Sequence, residues 1–194
     1  MYDIVIFISG PAGSGKTTAA EYIQKILQPD CYTITLADPL KKMVYELCKE
    51  FDFPINNLQD LYTPGVKETY RTYMQHIGTE ICQSIFGKDC WCNAAMKELS
   101  DKFSRKFAYP STLIISDFRF LHEFEYFHNR ANKTLILNIE RKSAKPIEHS
   151  EHISEQLNLK NFYLYKNCTL ITLQNDDSIE SFQEMLYTIV QTIL

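Results

Sequence analysis

A short apolar strand that empties into a glycine-rich loop, and then into a helix, constrains this chain more than any other feature. Ile4-Val5-Ile6-Phe7-Ile8-Ser9 runs into Gly10-Pro11-Ala12-Gly13-Ser14-Gly15-Lys16-Thr17-Thr18, with helix-forming residues from Thr17 to Leu27 behind it. The spacing is GxxxxGK[ST], that of a phosphate-binding loop. A polyphosphate is held best by several backbone N–H groups converging on one concavity, and glycine lets the backbone come that close. Gly10, Gly13 and Gly15 supply that freedom, and Ala12, Ser14, Lys16, Thr17 and Thr18 complete the nucleotide-binding set. The helix beginning near Lys16 adds its positive dipole end. Lys16 is expected to reach the β- and γ-phosphates and the Thr17 hydroxyl to ligate Mg²⁺. The segment implies a nucleoside triphosphate site.

Composition narrows the rest. At 194 residues and 22.7 kDa the chain suits one α/β domain with a full core. A net charge of −4 and a pI near 5.7 argue against a protein that coats nucleic acid. No apolar run approaches the ~18 residues of a membrane span, and Asp3 stands where a secretion signal would carry Lys or Arg. Cys31, Cys48, Cys82, Cys90, Cys92 and Cys168 form no CxxC pair and read as reduced thiols, so a cytoplasmic location is expected. Cys90-Trp91-Cys92 lacks the four-ligand spacing that zinc requires.

β-rich runs at Ile4–Ser9, Tyr32–Leu36, Thr112–Ser116, Thr134–Ile139 and Cys168–Leu173 alternate with amphipathic segments. Helices are expected at Glu21–Leu27, Leu40–Phe51, Thr69–Phe86, Trp91–Phe103, His122–Arg130 and Ile179–Leu194. The Thr69–Phe86 stripe comprises Tyr70, Tyr73, Met74, Ile77, Ile81 and Ile85. Alternation of this kind implies a parallel five-stranded sheet with helices on both faces, and functional residues at the carboxyl ends of the strands. Asp52–Lys67 and Lys142–Asn161 lack core periodicity and are either lids or plain surface loops.

Three further constellations carry chemistry. Leu113-Ile114-Ile115-Ser116-Asp117 ends an apolar strand in an acid suited to orient Mg²⁺, or to cap the next helix. Arg119 either neutralises a phosphate or pairs with Glu123 one turn later. In Ala37-Asp38-Pro39-Leu40-Lys41, Pro39 suits a first helical turn; Asp38 either caps that helix or takes a proton or hydrogen bond from an acceptor. Arg71, Gln75 and Gly78 fall at i, i+4 and i+7, one polar line on a helix. Arg suits a monophosphate, Gln presents a donor and an acceptor to a base edge, and Gly leaves room for a flat ring.

These segments, with Met74-Gln75-x-x-Gly78-Thr79-Glu80, Asp89-x-Trp91, Ser116-Asp117-x-Arg119-Phe120-x-x-Glu123, Glu140-Arg141, His152-Ile153-Ser154-Glu155 and Asn175-Asp176, occur in one order. In that order they resemble the deoxynucleoside monophosphate kinases of large bacteriophages and other DNA viruses. The resemblance runs from about Ile4 to Ile179. It implies a three-layer P-loop kinase fold over 1–194 as a single domain, with an acceptor-side insert at about 52–67 and a lid at about 141–161. It implies transfer of the ATP γ-phosphate, with Mg²⁺, to a deoxynucleoside 5′-monophosphate for DNA precursor supply, and a viral protein working in the host cytoplasm.

Under that resemblance Lys16, Arg119 and Arg141 surround the travelling phosphate, with Asp38 positioning the acceptor. Thr17 and Asp117 serve Mg²⁺, Arg141 also contacts ATP, and Lys41, Arg71, Gln75, Gly78, Thr79, Trp91 and Arg119 bind the acceptor. An aromatic face at Tyr70, Tyr73 or Trp91 would disfavour a 2′-hydroxyl. No nucleic acid or membrane partner is expected, and homodimer formation stays open. The alternatives are another small-acceptor kinase, of the dephospho-coenzyme A or gluconate type, and a packaging or regulatory ATPase. Phe118-Arg119 stands where a mechanical ATPase typically carries a water-activating Glu, which disfavours the last.

Overall fold

A computed structural model describes residues 1–63, 65–103, 110–143 and 158–193. The chain forms two compact units, Met1–Thr35 with Phe103–Leu194, and Leu36–Lys102.

The first unit is built on the apolar β-rich runs. β1 (Tyr2–Ser9), β2 (Cys31–Ile34), β3 (Thr112–Ile115), β4 (Ala131–Glu140) and β5 (Cys168–Gln174) form, among the described residues, a five-stranded parallel sheet in the order β2-β3-β1-β4-β5. β1 lies at its centre, with Ile6 beside both Ile114 and Leu135. Strands buried on both faces need continuous apolar sequence, which is why Ile4–Ile8 shows no polar alternation. Ile4, Ile6 and Ile8 pack with Ala19, Ala20 and Ile23 of α1 (Lys16–Leu27) and with Phe182, Leu186 and Val190 of α8 (Ile179–Ile193). On the opposite side Phe7 meets Phe118 and, from α7 (Leu121–His128), Phe124 and Phe127, at centroid distances of 5.0, 5.1 and 6.5 Å. Helices therefore cover both faces, as expected.

Because every strand is parallel, the phosphate loop after β1, Asp117 after β3, Arg141 after β4 and Asn175 after β5 all leave the same edge of the sheet.

The second unit contains α2 (Asp38–Glu50), a 3-10 turn at Leu58–Leu61, α3 (Val66–Thr69), α4 (Arg71–Gln75), a π-helical turn at His76–Cys82, α5 (Gln83–Phe86) and α6 (Cys90–Phe103). Its core is Val44, Cys48, Leu61 and Tyr70, with Leu40, Ile55, Leu58, Met74 and Ile77 against it. Two expectations change here. The single helix over Thr69–Phe86 is a succession of short α-helical pieces around a π turn, whose wider spiral takes Ile81 and Ile85 off the core face that Tyr70, Met74 and Ile77 share. Tyr70 stays buried, whereas Tyr73, Ile81 and Ile85 are exposed. The aperiodic Asp52–Lys67 stretch is anchored by fully buried Leu61 and by the Tyr70 hydroxyl donating to the Pro54 carbonyl at 2.7 Å.

Among the described residues, no helix is long and apolar enough to cross a membrane.

Candidate active site

The residues expected to hold ATP belong to the first unit. Gly10 sits at φ +137°, where a Cβ would run into the Ile139 carbonyl, and Gly15 at φ +106° closes the loop onto α1. Both positions demand glycine. The Lys16 ammonium folds back over the loop and donates to the carbonyls of Gly10 and Pro11, each at 2.7 Å. Ser14 is fully buried with its hydroxyl oxygen unpaired. Ala12 and Thr18 are half-buried, and Gly13 and Thr17 are exposed.

Mg²⁺ binds through one or two carboxylates or hydroxyls plus substrate phosphates, rather than through an all-protein cage. Among the described residues no cluster of three or more His, Cys, Asp or Glu is placed to hold a metal. Thr17 is the second residue of α1 and Asp117 follows β3, the strand paired with β1. One hydroxyl and one carboxylate are the donor set a phosphate-bound Mg²⁺ needs.

Asp117 is not the cap of the helix after it, since α7 begins four residues later at Leu121. Glu123 does that work: its Oε2 accepts the backbone N–H groups of Arg119 at 2.6 Å and Phe120 at 3.0 Å. The carboxylate that is one of the two partners considered for the Arg119 side chain thus accepts the Arg119 backbone N–H. Burial pushes the Glu123 carboxyl up to about 7; the two N–H bonds oppose this, and the charge of Asp117 adds to it.

Arg141 is exposed just beyond β4. The lid expected at 141–161 falls, over residues 144–157 with His152-Ile153-Ser154-Glu155, outside the described residues.

The second unit holds the residues expected for an acceptor. α2 begins at Asp38 without a side-chain cap, so Asp38 occupies the first helical position instead of the cap. Its Oδ1 accepts the Tyr62 hydroxyl at 2.9 Å, and the Lys41 ammonium lies 3.6 Å from the centre of the same ring. Tyr62 thereby organises both Asp38 and Lys41. The sequence carried no local signal for it, because 24 residues separate it from Asp38.

Arg71 and Gln75 share α4, and the Gln75 amide nitrogen is buried and unpaired. Gly78 does not continue their polar line, because the π turn intervenes. A Cβ there would stand 2.7 Å from Leu40 Cδ2, so the space expected for a flat ring is filled by Leu40. Trp91 is buried, and its indole N–H donates to the Gly78 carbonyl at 2.9 Å. That spends its single polar atom on holding the π turn. Thr79 is half-buried on the same turn. Of the three rings considered for sugar selection, Tyr70 and Trp91 are buried and hydrogen-bonded, and Tyr73 is half-exposed with its edge against Phe53 at 5.8 Å.

The family model for deoxynucleotide monophosphate kinase matches residues 65–186. A sugar kinase from Janibacter sp., in an unliganded crystal structure, is similar over 98% of this chain and 95% of its own, at 13% identity and a TM-score of 0.50, a likeness of fold. A variant of the APS kinase CysC of Mycobacterium tuberculosis aligns over 98% of this chain and 99% of its own, at 8% identity and a TM-score of 0.39. No curated protein matches the chain.

Proposed function

The chain belongs to the deoxynucleotide monophosphate kinase family, and on that premise we propose that it moves the γ-phosphate of ATP to a deoxynucleoside 5′-monophosphate, yielding ADP and the diphosphate. The observation that carries the reading is the phosphate loop, with Gly10 and Gly15 in left-handed backbone and Lys16 turned over the loop. A 5′-phosphate oxygen of the acceptor bonds to the γ-phosphorus as the bond to the β–γ bridging oxygen breaks, and the electron pair leaves with ADP. Such transfer is mostly positioning and charge neutralisation, with no covalent nucleophile.

In this reading Lys16 exchanges its two loop carbonyls for the β- and γ-phosphate oxygens. Thr17 and Asp117 would hold Mg²⁺, which would supply neutralisation of phosphate charge. Arg119 and Arg141 gather round the transferring group, and a lid over 141–161 excludes water. Arg71 takes the acceptor phosphate, Asp38 and Lys41 orient it, and the unpaired amide of Gln75 reads the base edge. Gly78, Thr79 and Trp91 serve the acceptor side by fixing the π turn next to Gln75. Six free cysteines suit a reducing cytoplasm. Homodimer formation is read out by light scattering.

The test is a panel of common dNMPs and NMPs with ATP and Mg²⁺, followed by ADP formation. Turnover should be nearly silent without acceptor and should appear with dNMPs. Hydrolysis independent of any monophosphate would replace the kinase by an ATPase. A 2′-hydroxyl pressed on an aromatic face loses water partners at a cost of about 1–3 kcal/mol, so kcat/KM should favour dNMP over NMP roughly 5- to 150-fold. The half-exposed Tyr73 is assigned this role. Tyr73→Ala should narrow the gap by improving NMP use, and an unchanged ratio would remove the assignment.

Tyr62→Phe supplies a second check. It keeps the ring under Lys41 and deletes the hydroxyl that fixes Asp38. Acceptor kcat/KM should fall about 5- to 10-fold with the KM for ATP unchanged, the size of one lost hydrogen bond. Equal losses for both substrates would mean that Tyr62 only supports the fold.

A further inference from the structure

At the end of β5, three consecutive side chains reach other parts of the same sheet edge. Gln174 Nε2 donates to Glu140 Oε2 at 2.7 Å, and Asp176 Oδ1 accepts the Lys142 N–H at 2.8 Å with its Oδ2 3.3 Å from Lys142 Nζ. Between them Asn175, only 9% exposed, donates through Nδ2 to the Ser14 carbonyl at 2.8 Å, while its backbone N–H donates to the Glu140 carbonyl at 2.8 Å. A Cβ on Gly15 would stand 2.5 Å from Asn175 Nδ2, so the loop backbone rests directly on this amide.

The peptide unit joining Ser14 to Gly15 is a rigid trans plane, in which the carbonyl and the next N–H point in opposite directions. Fixing the Ser14 carbonyl against Asn175 therefore fixes the Gly15 N–H pointing away from Asn175. We propose that Asn175 is a positioning residue for the donor phosphates: by gripping the Ser14 carbonyl it holds the Gly15 amide turned toward the polyphosphate. This role rests on the kinase reading of the loop. Sequence alone hides it, because 161 residues separate the two partners.

The test compares wild type, Asn175→Leu and Asn175→Ala in their binding of inorganic tripolyphosphate and of ATP by titration calorimetry, with steady-state KM values for both substrates. Leu keeps the branching of Asn at Cγ, with two bulkier methyl groups, and has no donor, while Ala removes the donor without added bulk. Both variants should bind tripolyphosphate about 5- to 20-fold more weakly, as expected when one hydrogen bond to a buried carbonyl is lost. The KM for ATP should rise in step while the KM for the acceptor stays put. That split also reports that the variants are folded, and Ala serves if Leu does not fold. An Asn175→Leu protein that binds tripolyphosphate within twofold of wild type would reduce the residue to packing and overturn the proposal. Wild type that fails to bind tripolyphosphate at all would overturn the donor-site reading together with it.

Discussion

Lys16→Ala should lower kcat about 10³-fold at saturating ATP, a loss of ~4 kcal/mol in transition-state stabilisation. In phosphoryl transfer negative charge moves from the γ-phosphate toward the β–γ bridging oxygen, and a cation near both gains most in the transition state. The ammonium is within reach of such a ligand, since it already bends over the loop to the Gly10 and Pro11 carbonyls. Those two bonds hold it over the loop before any phosphate arrives. Their loss should cost stability little, because the freed carbonyls lie in a partly exposed loop and can turn to water. A melting shift of a few degrees is the expected bound for a chain of this size. Coupled ADP formation and a thermal melt on the same preparation decide the matter. Near-normal turnover would remove Lys16 from the donor site and the kinase mechanism with it.

The sheet was legible because its signal is local and redundant. Each of the five strands is an apolar run too short for a helix, and Ile4–Ile8 reads as buried on both faces with no knowledge of its neighbours. The phosphate loop was legible for a related reason: its chemistry lies within eight consecutive residues. What could not be read is what depends on partners distant in sequence or on a change of period. The stripe from Tyr70 to Ile85 assumes 3.6 residues per turn throughout, and the π turn at His76–Cys82 voids that assumption beyond Ile77. Gly78 then looked like room for a ligand, when its missing side chain is what lets Leu40 approach. Asp38 and Asp117 sit where caps are common, yet neither caps: Asp38 faces Tyr62, and the α7 start is served by Glu123. Arg119 and Glu123 lie one turn apart, a spacing that suggests a side-chain pair. Here Glu123 Oε2 accepts the backbone N–H groups of Arg119 and Phe120, bonds that side-chain charge patterning alone does not foretell.

Glu123→Gln should change how stability depends on pH. The Glu123 carboxyl is 5% exposed, with Asp117 and Arg119 as the neighbouring charges, and burial raises its pKa from the ordinary 4.5 to about 7. The native state therefore keeps a proton that the unfolded chain releases between those values. Its stabilising contribution is full below about pH 4.5 and is lost as pH rises through about 7. Between pH 5 and 8 wild type should lose on the order of 2–3 kcal/mol through this one group. Gln keeps a carbonyl oxygen for the Arg119 and Phe120 N–H groups and has no proton to lose, so its stability should stay flatter across the same range. The two proteins should nearly match at pH 5, with the variant more stable at pH 8. Urea unfolding at both pH values, read as the difference between them, measures this directly. Parallel pH profiles would mean that Glu123 is ionised in the folded state throughout. The two backbone N–H bonds would then outweigh its burial, and the loop carrying Arg119 would be held by a charged cap instead of a neutral one.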